Sequence, residues 1–545
     1  MPEYDVLVVG GGVAGLRAVL TAQEAGVRVA LISKTHPVRS HAAASPGGFN
    51  AALSAEDSDA LHVKDSAEAG RGLCETEVLT LLCREAPHEA LRLDFLGVPL
   101  TRNDAGAFAL RRLNGSRTAR AVFAADFTGH VVLHTLYEQT LKMQIPVFDE
   151  WQVISLIVDE GRCRGVLALE QRTGNLAAFM ASVVILATGG AGRVYQRSTA
   201  SRSCTGDGMS LAYRAGLRLV DMEMVQYHPL GFHAHRAFAS EATLAEGAML
   251  CDAAGQPVLQ VNSSLLRDSL CRTMVETGRE ARAGSSFLLD MRPVSRHVRV
   301  SRFQYLQRIA NELVGIELAQ EPLPVRPIAH RLLGGIETTL DGATSMPGLF
   351  ATGECAWQGV HGANGLAGNT LTASVVLGQR AGAVAATHTK VMKPMPVSAS
   401  LVKDQHARVE AIFARPTSED TVAKISHELA VLMDEHVGIV RNSEGLAAAA
   451  RELTALKTRY AHVGLRHHGK MYNAELTSFF ELASLLDVAE VVITAAQTRK
   501  ESRGVHYRTD FPLANDSAWQ CHTLISQRVN SPQVETRPVN ASLSS

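Results

Sequence analysis

The stretch Tyr4-Asp5-Val6-Leu7-Val8-Val9-Gly10-Gly11-Gly12-Val13-Ala14-Gly15 constrains this chain more than any other. An apolar run of strand length meets a glycine turn. A helical pattern from Ala14 to Ala25 follows, then Gly26 and a second apolar run, Val27 to Ile32. In such a unit Gly10 permits the tight turn, Gly12 lets backbone approach a pyrophosphate, and Gly15 lets the helix pack on the strand. The unpaired N–H groups and positive end of the helix then face the phosphates. A glycine turn alone is a weak signal. Strand, turn, helix and second strand in that order predict a dinucleotide-binding βαβ unit rather than one that binds nothing.

At 545 residues the chain exceeds one compact core, so two to four domains are expected. A hydrophobic share of 46%, a charged share of 20% and a net charge of −1 fit a globular enzyme and give no field for nucleic acid or an anionic membrane. The eight cysteines are scattered singly without a C-x-x-C pair, so no metal or cluster site is expected in this chain, and a reduced, cytosolic compartment is the simplest expectation. No apolar run reaches the roughly 20 residues that cross a bilayer, and the N-terminal run lacks a basic region and a cleavage site. Direct membrane insertion is not expected; docking through a partner is compatible with the sequence.

Beyond the second strand, Ser33-Lys34 stands where many dinucleotide folds place an acid for the ribose. The small-residue segment Arg39 to Leu53, with Ser40, His41, Gly47 and Gly48, suits close approach to a flat ligand. Two helical patterns are expected within 60–145, the second starting at Thr128-Gly129-His130. His130 and His134 lie at i and i+4, but no third ligand follows, so ordinary helix residues are the better expectation. A buried strand then ends in Ala187-Thr188-Gly189-Gly190, a second glycine turn. Cys204-Thr205-Gly206-Asp207-Gly208 opens a helix, and Asp207 is a candidate for the missing ribose acid. The nucleotide-binding rhythm stops from Phe232 to Pro327 and returns at Thr352-Gly353-Glu354. The glycine-rich run His361 to Leu371 follows, in which Asn369, Thr370 and Leu371 open a helix whose N–H groups suit a flavin ring or ribityl chain. A linker is expected over 386–400, a helical region over 401–497, and a polar tail that becomes disordered after about residue 530.

With these landmarks the chain resembles the flavoprotein subunit of succinate dehydrogenase and fumarate reductase across residues 4 to 525. The resemblance rests on Arg39-Ser40-His41, Asp126 with Thr128-Gly129-His130, Ala187-Thr188-Gly189-Gly190, Cys204 to Gly208, and Asp221-Met222-Glu223. It continues in Gln226-Tyr227-His228-Pro229, Pro327-Ile328-Ala329-His330, His361-Gly362-Ala363-Asn364 and Glu501-Ser502-Arg503-Gly504. It implies an α/β fold with a Rossmann-like FAD-binding domain (1–232 and 328–390), an inserted α+β capping domain (233–327), a helical domain (398–497) and a C-terminal segment (498–545). It implies FAD, attached covalently through His41, a residue that the related L-aspartate oxidases lack. It implies hydride transfer between flavin N5 and a C4 dicarboxylate, with Arg267 moving the proton, His228 and His330 holding carboxylates, and Glu246 as a carboxylate of the same pocket. It also implies an iron–sulfur partner subunit and, through it, a membrane anchor on the inner face of the cell membrane.

The departures from the family pattern lie in the substrate pocket. Gly365 replaces an arginine that clamps a carboxylate. Ala245 replaces a threonine, Met249 an arginine, Leu230 a threonine, and Pro46 a residue facing the flavin. Arg331, where an uncharged residue is usual, is expected to compensate in part for the lost cation. The departures keep two alternatives open: a stand-alone FAD oxidoreductase acting on another carboxylate, or a paralogue that binds FAD with little turnover.

Overall fold

The computed structural model describes residues 3–258, 266–280, 287–390, 399–528 and 531–540. The strand Glu3–Val9 is buried from Val6 onward and runs parallel to Val29–Ser33 on one side and Leu176–Leu186 on the other. Burial on both faces explains its unbroken apolar run. Seven strands form this sheet. The strand Leu176–Leu186 serves it twice: its first half closes an antiparallel meander with Arg162–Glu170 and Trp151–Asp159, and its end pairs in parallel with Leu349–Ala351. The helices Val13–Glu24 and Asn369–His388 pack backbone to backbone. A Cβ at Gly378 or Gly382 would lie 2.6 or 2.3 Å from the carbonyl oxygens of Ala14 and Ala18.

The strands Val225–Phe232 and Leu323–Leu332 pair antiparallel within a four-stranded sheet completed by Phe287–Asp290 and Met249–Cys251. This is the inserted cap; of its two long strands, Val225–Phe232 lies just before the limit expected at 233 and Leu323–Leu332 runs across the one expected at 327. Leu306, Ile309 and Ala310 of the helix Gln304–Val314 join Leu230, Phe232 and Leu289 in the cap's own core.

The helical region consists of Ala399–Phe413, Val422–His436, Ser443–Ala461 and Ala474–Thr498. Side chains of Thr421, Asn442 and Asn473 cap the last three by accepting N–H groups of Lys424, Gly445 and Leu476. Ala474–Thr498 is buried on most faces, because it lies between its sister helices and the helix Asp207–Arg214.

Three expectations need correction. Residues 60–145 hold three helices, Asp59–Ala69, Thr76–Phe95 and Thr128–Lys142, rather than two. The helix Asn369–His388 runs into the stretch expected as a linker, whose residues 391–398 lie outside the described ones. The tail is ordered beyond 530: Ser531–Pro538 pairs along its whole length with Cys521–Arg528, which joins a five-stranded sheet through Leu219–Val220.

Candidate active site

One long cleft of roughly 1650 Å³, open to solvent, runs between the main sheet, the cap and the start of the helix Asn369–His388. At one end lies the first glycine turn. Gly10 has φ +116°, and a Cβ there would sit 2.2 Å from the Ala187 carbonyl oxygen, so both chemistry and space require glycine. The helix Val13–Glu24 begins at Gly12 with no side-chain cap, which leaves its first N–H groups to a ligand. Ser40 faces Gly12, whose Cβ would lie 3.0 Å from the serine Oγ.

Ser33 and Lys34 line the same end. The Lys34 ammonium donates to Thr205 Oγ1 at 2.7 Å and Asp207 Oδ2 at 2.8 Å, and pairs with Glu481 Oε1 at 2.7 Å. Burial alone would lower its pKa, but Asp207 and Glu481 outweigh that and raise it. Asp207 thus brings a carboxylate to the end of the cleft that Lys34 lines. Gly208 is small because Thr188 Oγ1 would lie 2.3 Å from a Cβ there.

In the middle of the cleft stand His41, Pro46, Gly47, Gly48, Thr188, Gly189, Gly353, Glu354, Thr370 and Leu371. His41 opens a 3-10 turn, His41–Ala44, against which the helix Thr128–Lys142 packs; a Cβ at Gly129 would meet the Ala42 carbonyl at 2.0 Å. Burial and the nearby Arg331 push the His41 imidazole down to about 4, so its nitrogens are neutral and one carries a free lone pair at pH 7. Glu354 lies against Gly190, and burial raises its pKa, with Arg331 acting in opposition.

At the far end the cap closes over His228, His330, Phe238, Ser240, Glu241 and Arg267. The paired strands Val225–Phe232 and Leu323–Leu332 carry the two histidines, with ring centres 5.0 Å apart. His228 Nδ1 accepts the Leu230 N–H at 3.2 Å, which leaves Nε2 as the protonated nitrogen, 3.9 Å from Glu241 Oε2. His330 contacts Thr199 Oγ1 through Nδ1 at 2.8 Å, and its Nε2 accepts from Arg331 at 3.3 Å. Burial, then the arginines, hold both rings well below the ordinary imidazole range. Arg267 donates through Nε to Glu241 at 2.6 Å and through Nη1 to Gln226 Oε1 at 2.9 Å. Gln226 in turn donates to Asn364 and to the Gly365 carbonyl. Asp126 accepts the N–H groups of Tyr305 and Leu306, and so ties the cap helix Gln304–Val314 to the main body.

Three of the expected residues do not reach the cleft. Gly15 lies behind the turn, where a Cβ would meet the Gly10 carbonyl at 2.0 Å; its role is packing. Asn369 turns into a buried polar cluster, bonded to Asn50, His62 and Ser66. Glu246 pairs with Arg302 and is not part of the cleft wall. The short helix Ala242–Ala245 explains this last correction: it begins at Glu241, facing Arg267, and ends at Glu246, facing away. The hydroxyl–carboxylate pair of the pocket is therefore Ser240-Glu241, and the hydroxyl expected to be lost at Ala245 is present. Glu481 was not legible, because it arrives from the helical region. Ser240-Glu241 carried a signal, a hydroxyl beside a carboxylate nearer to His228 in the chain.

The cleft fits FAD: glycines clear the backbone where a pyrophosphate would lie, an uncapped helix end faces that space, and a second uncapped helix starts at Gly368, φ +92°, beside Thr370.

The family described as FAD binding domain matches residues 5–371, and that described as fumarate reductase flavoprotein C-term matches residues 426–544. A fumarate reductase flavoprotein subunit of Mycobacterium tuberculosis is 35% identical over 551 aligned residues, which cover 96% of this chain and 94% of that one. A succinate dehydrogenase flavoprotein subunit of Rickettsia bellii is 35% identical, with 96% and 92% covered. The solved quinol-fumarate reductase with menaquinol molecules superposes with a TM-score of 0.94 at 33% identity, over 100% of this chain and 99% of that one.

Proposed function

The chain belongs to the succinate dehydrogenase/fumarate reductase flavoprotein family, and from that premise we propose that it moves a hydride between flavin N5 and a C4 dicarboxylate or a related acid. One observation carries the proposal: a single cleft has the glycine turns and uncapped helix ends at one end and Arg267, Glu241, His228 and His330 at the other. FAD, when bound, supplies the two-electron chemistry. The residues present divide the remaining work. Gly10, Gly12, Ala14 and Ser40 would hold the pyrophosphate, and Ser33, Lys34 and Asp207 the adenosine ribose. His41, Gly47, Gly48, Ala187, Thr188, Gly189, Gly353, Glu354, Thr370 and Leu371 would line the ring and ribityl chain.

Arg267 would hold the proton that adds to or leaves the carbon next to the hydride. An arginine is a reluctant acid, so its position matters: Glu241 and Gln226 fix the guanidinium at two edges, and Glu241 is placed to return a proton to it. His228, neutral and buried with its proton on Nε2, would donate to a carboxylate from the cap side without adding charge, while His330, whose Nε2 accepts from Arg331, would hold that guanidinium in place. Asp126, by holding the cap helix Gln304–Val314 to the main body, would keep the cap seated over this end.

His41 would be the attachment point of FAD, supported by its neutral imidazole and its place in the cleft. Electrons would pass to an iron–sulfur subunit, since among the described residues no three His, Cys, Asp or Glu side chains converge as a metal site. Among them, too, no helix is long and apolar enough to cross a membrane, so a cytoplasmic place on the inner face of the cell membrane would come through partners. The test is direct. Purified protein supplied with FAD should carry one flavin per chain, exchange electrons between a dye and an acid substrate, and stay yellow after acid precipitation. His41→Ala should release the flavin on precipitation while still binding it in the native state. A chain that takes up no flavin sinks the proposal; a colourless wild-type precipitate sinks the attachment alone.

A further inference from the structure

Charge at the acid-binding end of the cleft is almost fully matched within the protein. Arg267 is ion-paired to Glu241 at 2.6 Å. The four nearest histidines, His41, His228, His330 and His361, are all kept neutral by burial first and by neighbouring arginines second.

Arg331 is the exception. It lines the cleft and also a small chamber behind it, shared with Glu354 and His361. Its Nε and Nη1 are buried and have no hydrogen-bond partner; its one bond runs from Nη2 to His330. It has no ion-pair partner among the described residues, and Glu354 attracts it only from a distance. Burial pushes the guanidinium down to about 10, which is still a full positive charge at neutral pH. A cation on the wall of the cleft beside the substrate histidines, with two buried donors that no protein group accepts from, is an anion site waiting for its anion.

The same end offers nothing comparable for a second anion. Gly365 has no side chain, and its carbonyl already accepts from Gln226. Leu230 is wholly buried, and the Phe238 ring lies 4.7 Å from the His228 ring and 5.2 Å from the His330 ring. A second carboxylate would be buried among neutral imidazoles and an aromatic ring with no free cation, which is strongly unfavourable.

Building on the proposed function, we infer that this site prefers an unsaturated acid with one buried carboxylate, held by Arg331, and an uncharged remainder lying against Phe238, over a dianionic C4 acid. Both the monocarboxylate and the half-ester of a C4 dicarboxylate meet this description.

The experiment compares fumarate with its monomethyl ester on the FAD-loaded protein at pH 7.5, by flavin absorbance titration and by calorimetry. The half-ester should bind about 10- to 100-fold more tightly. Arg331→Gln should reduce half-ester affinity by a similar factor with flavin content unchanged, and Arg331→Lys should restore part of it. The ranking of the two acids on the wild type decides the matter even if the variants fail to fold. Fumarate binding as tightly as the half-ester, neither acid binding, or Arg331→Gln altering the flavin spectrum while leaving affinity intact would each overturn the inference. In all three cases a normally loaded flavin leaves the flavoprotein reading standing, whereas a chain without flavin removes both.

Discussion

Replacing His522 by glutamine should loosen the C-terminal hairpin at pH 6 and have almost no effect at pH 10. His522 is fully buried on Cys521–Arg528, with Nδ1 2.7 Å from Asp221 and Nε2 3.0 Å from Glu75. Burial by itself would lower its pKa, but Asp221 and Glu75 outweigh that and raise it from 6.5 to about 9. At roughly 1.4 kcal/mol per tenfold this is worth about 3 kcal/mol. The lowered pKa of Asp221 is the same interaction counted from the carboxylate and adds nothing further. The folded pKa is raised, so the stabilisation is complete below the unfolded value of 6.5 and is lost as pH climbs through about 9. Glutamine keeps a donor but not the charge; Asp221 retains Trp357 Nε1 and the Thr523 N–H. The hairpin opens as a local unit, so the assay is tryptic cleavage within 521–538 from pH 6 to 10, each rate divided by that of an unfolded peptide of the same sequence. Wild type should be protected up to about 150-fold more than the variant at pH 6, and the gap should close with rising pH. A gap that is constant or that widens toward pH 10 would refute the assignment.

At the adenosine end, Lys34→Met leaves Asp207 and Glu481 facing each other without a cation, and should cost about 3 kcal/mol or more; FAD release, followed by fluorescence, should quicken. Glu481→Gln should be milder because Asp207 remains paired. In the acid-binding end, Glu241→Gln removes the charge that holds Arg267 and should cut turnover about a hundredfold or more, while Glu246→Gln, outside the cleft, should change it less than threefold. Equal losses in the two variants, measured by dye-coupled steady-state kinetics, would return the pocket carboxylate to Glu246.

What could be read from the sequence and what could not divide along a physical line. Gly10 to Gly15, Ala187 to Gly190 and Gly353-Glu354 are local backbone requirements, so a few adjacent residues suffice to place a strand, a turn and a ligand-facing N–H group. The carboxylate of the substrate pocket is a different kind of fact. A single helical turn, Ala242–Ala245, decides whether Glu241 or Glu246 faces Arg267, and no pattern in the adjacent residues announces that choice. Lys34 needs Glu481 from a helix over four hundred residues away, which no local pattern announces. The tail shows the opposite failure. Ser531–Pro538 is mostly exposed and carries no apolar alternation, so it resembles disordered chain; its order comes from ladder bonds to Cys521–Arg528, whose burial is the legible half. The same division bears on specificity. The cofactor end is built from backbone, and its local sequence matches the family there. The acid-binding end is built from side chains brought together over long distances, such as Gln226, Arg267 and His330, so a change of charge there need not touch the fold. Substrate choice in such a chain can therefore diverge while the flavin site stays whole.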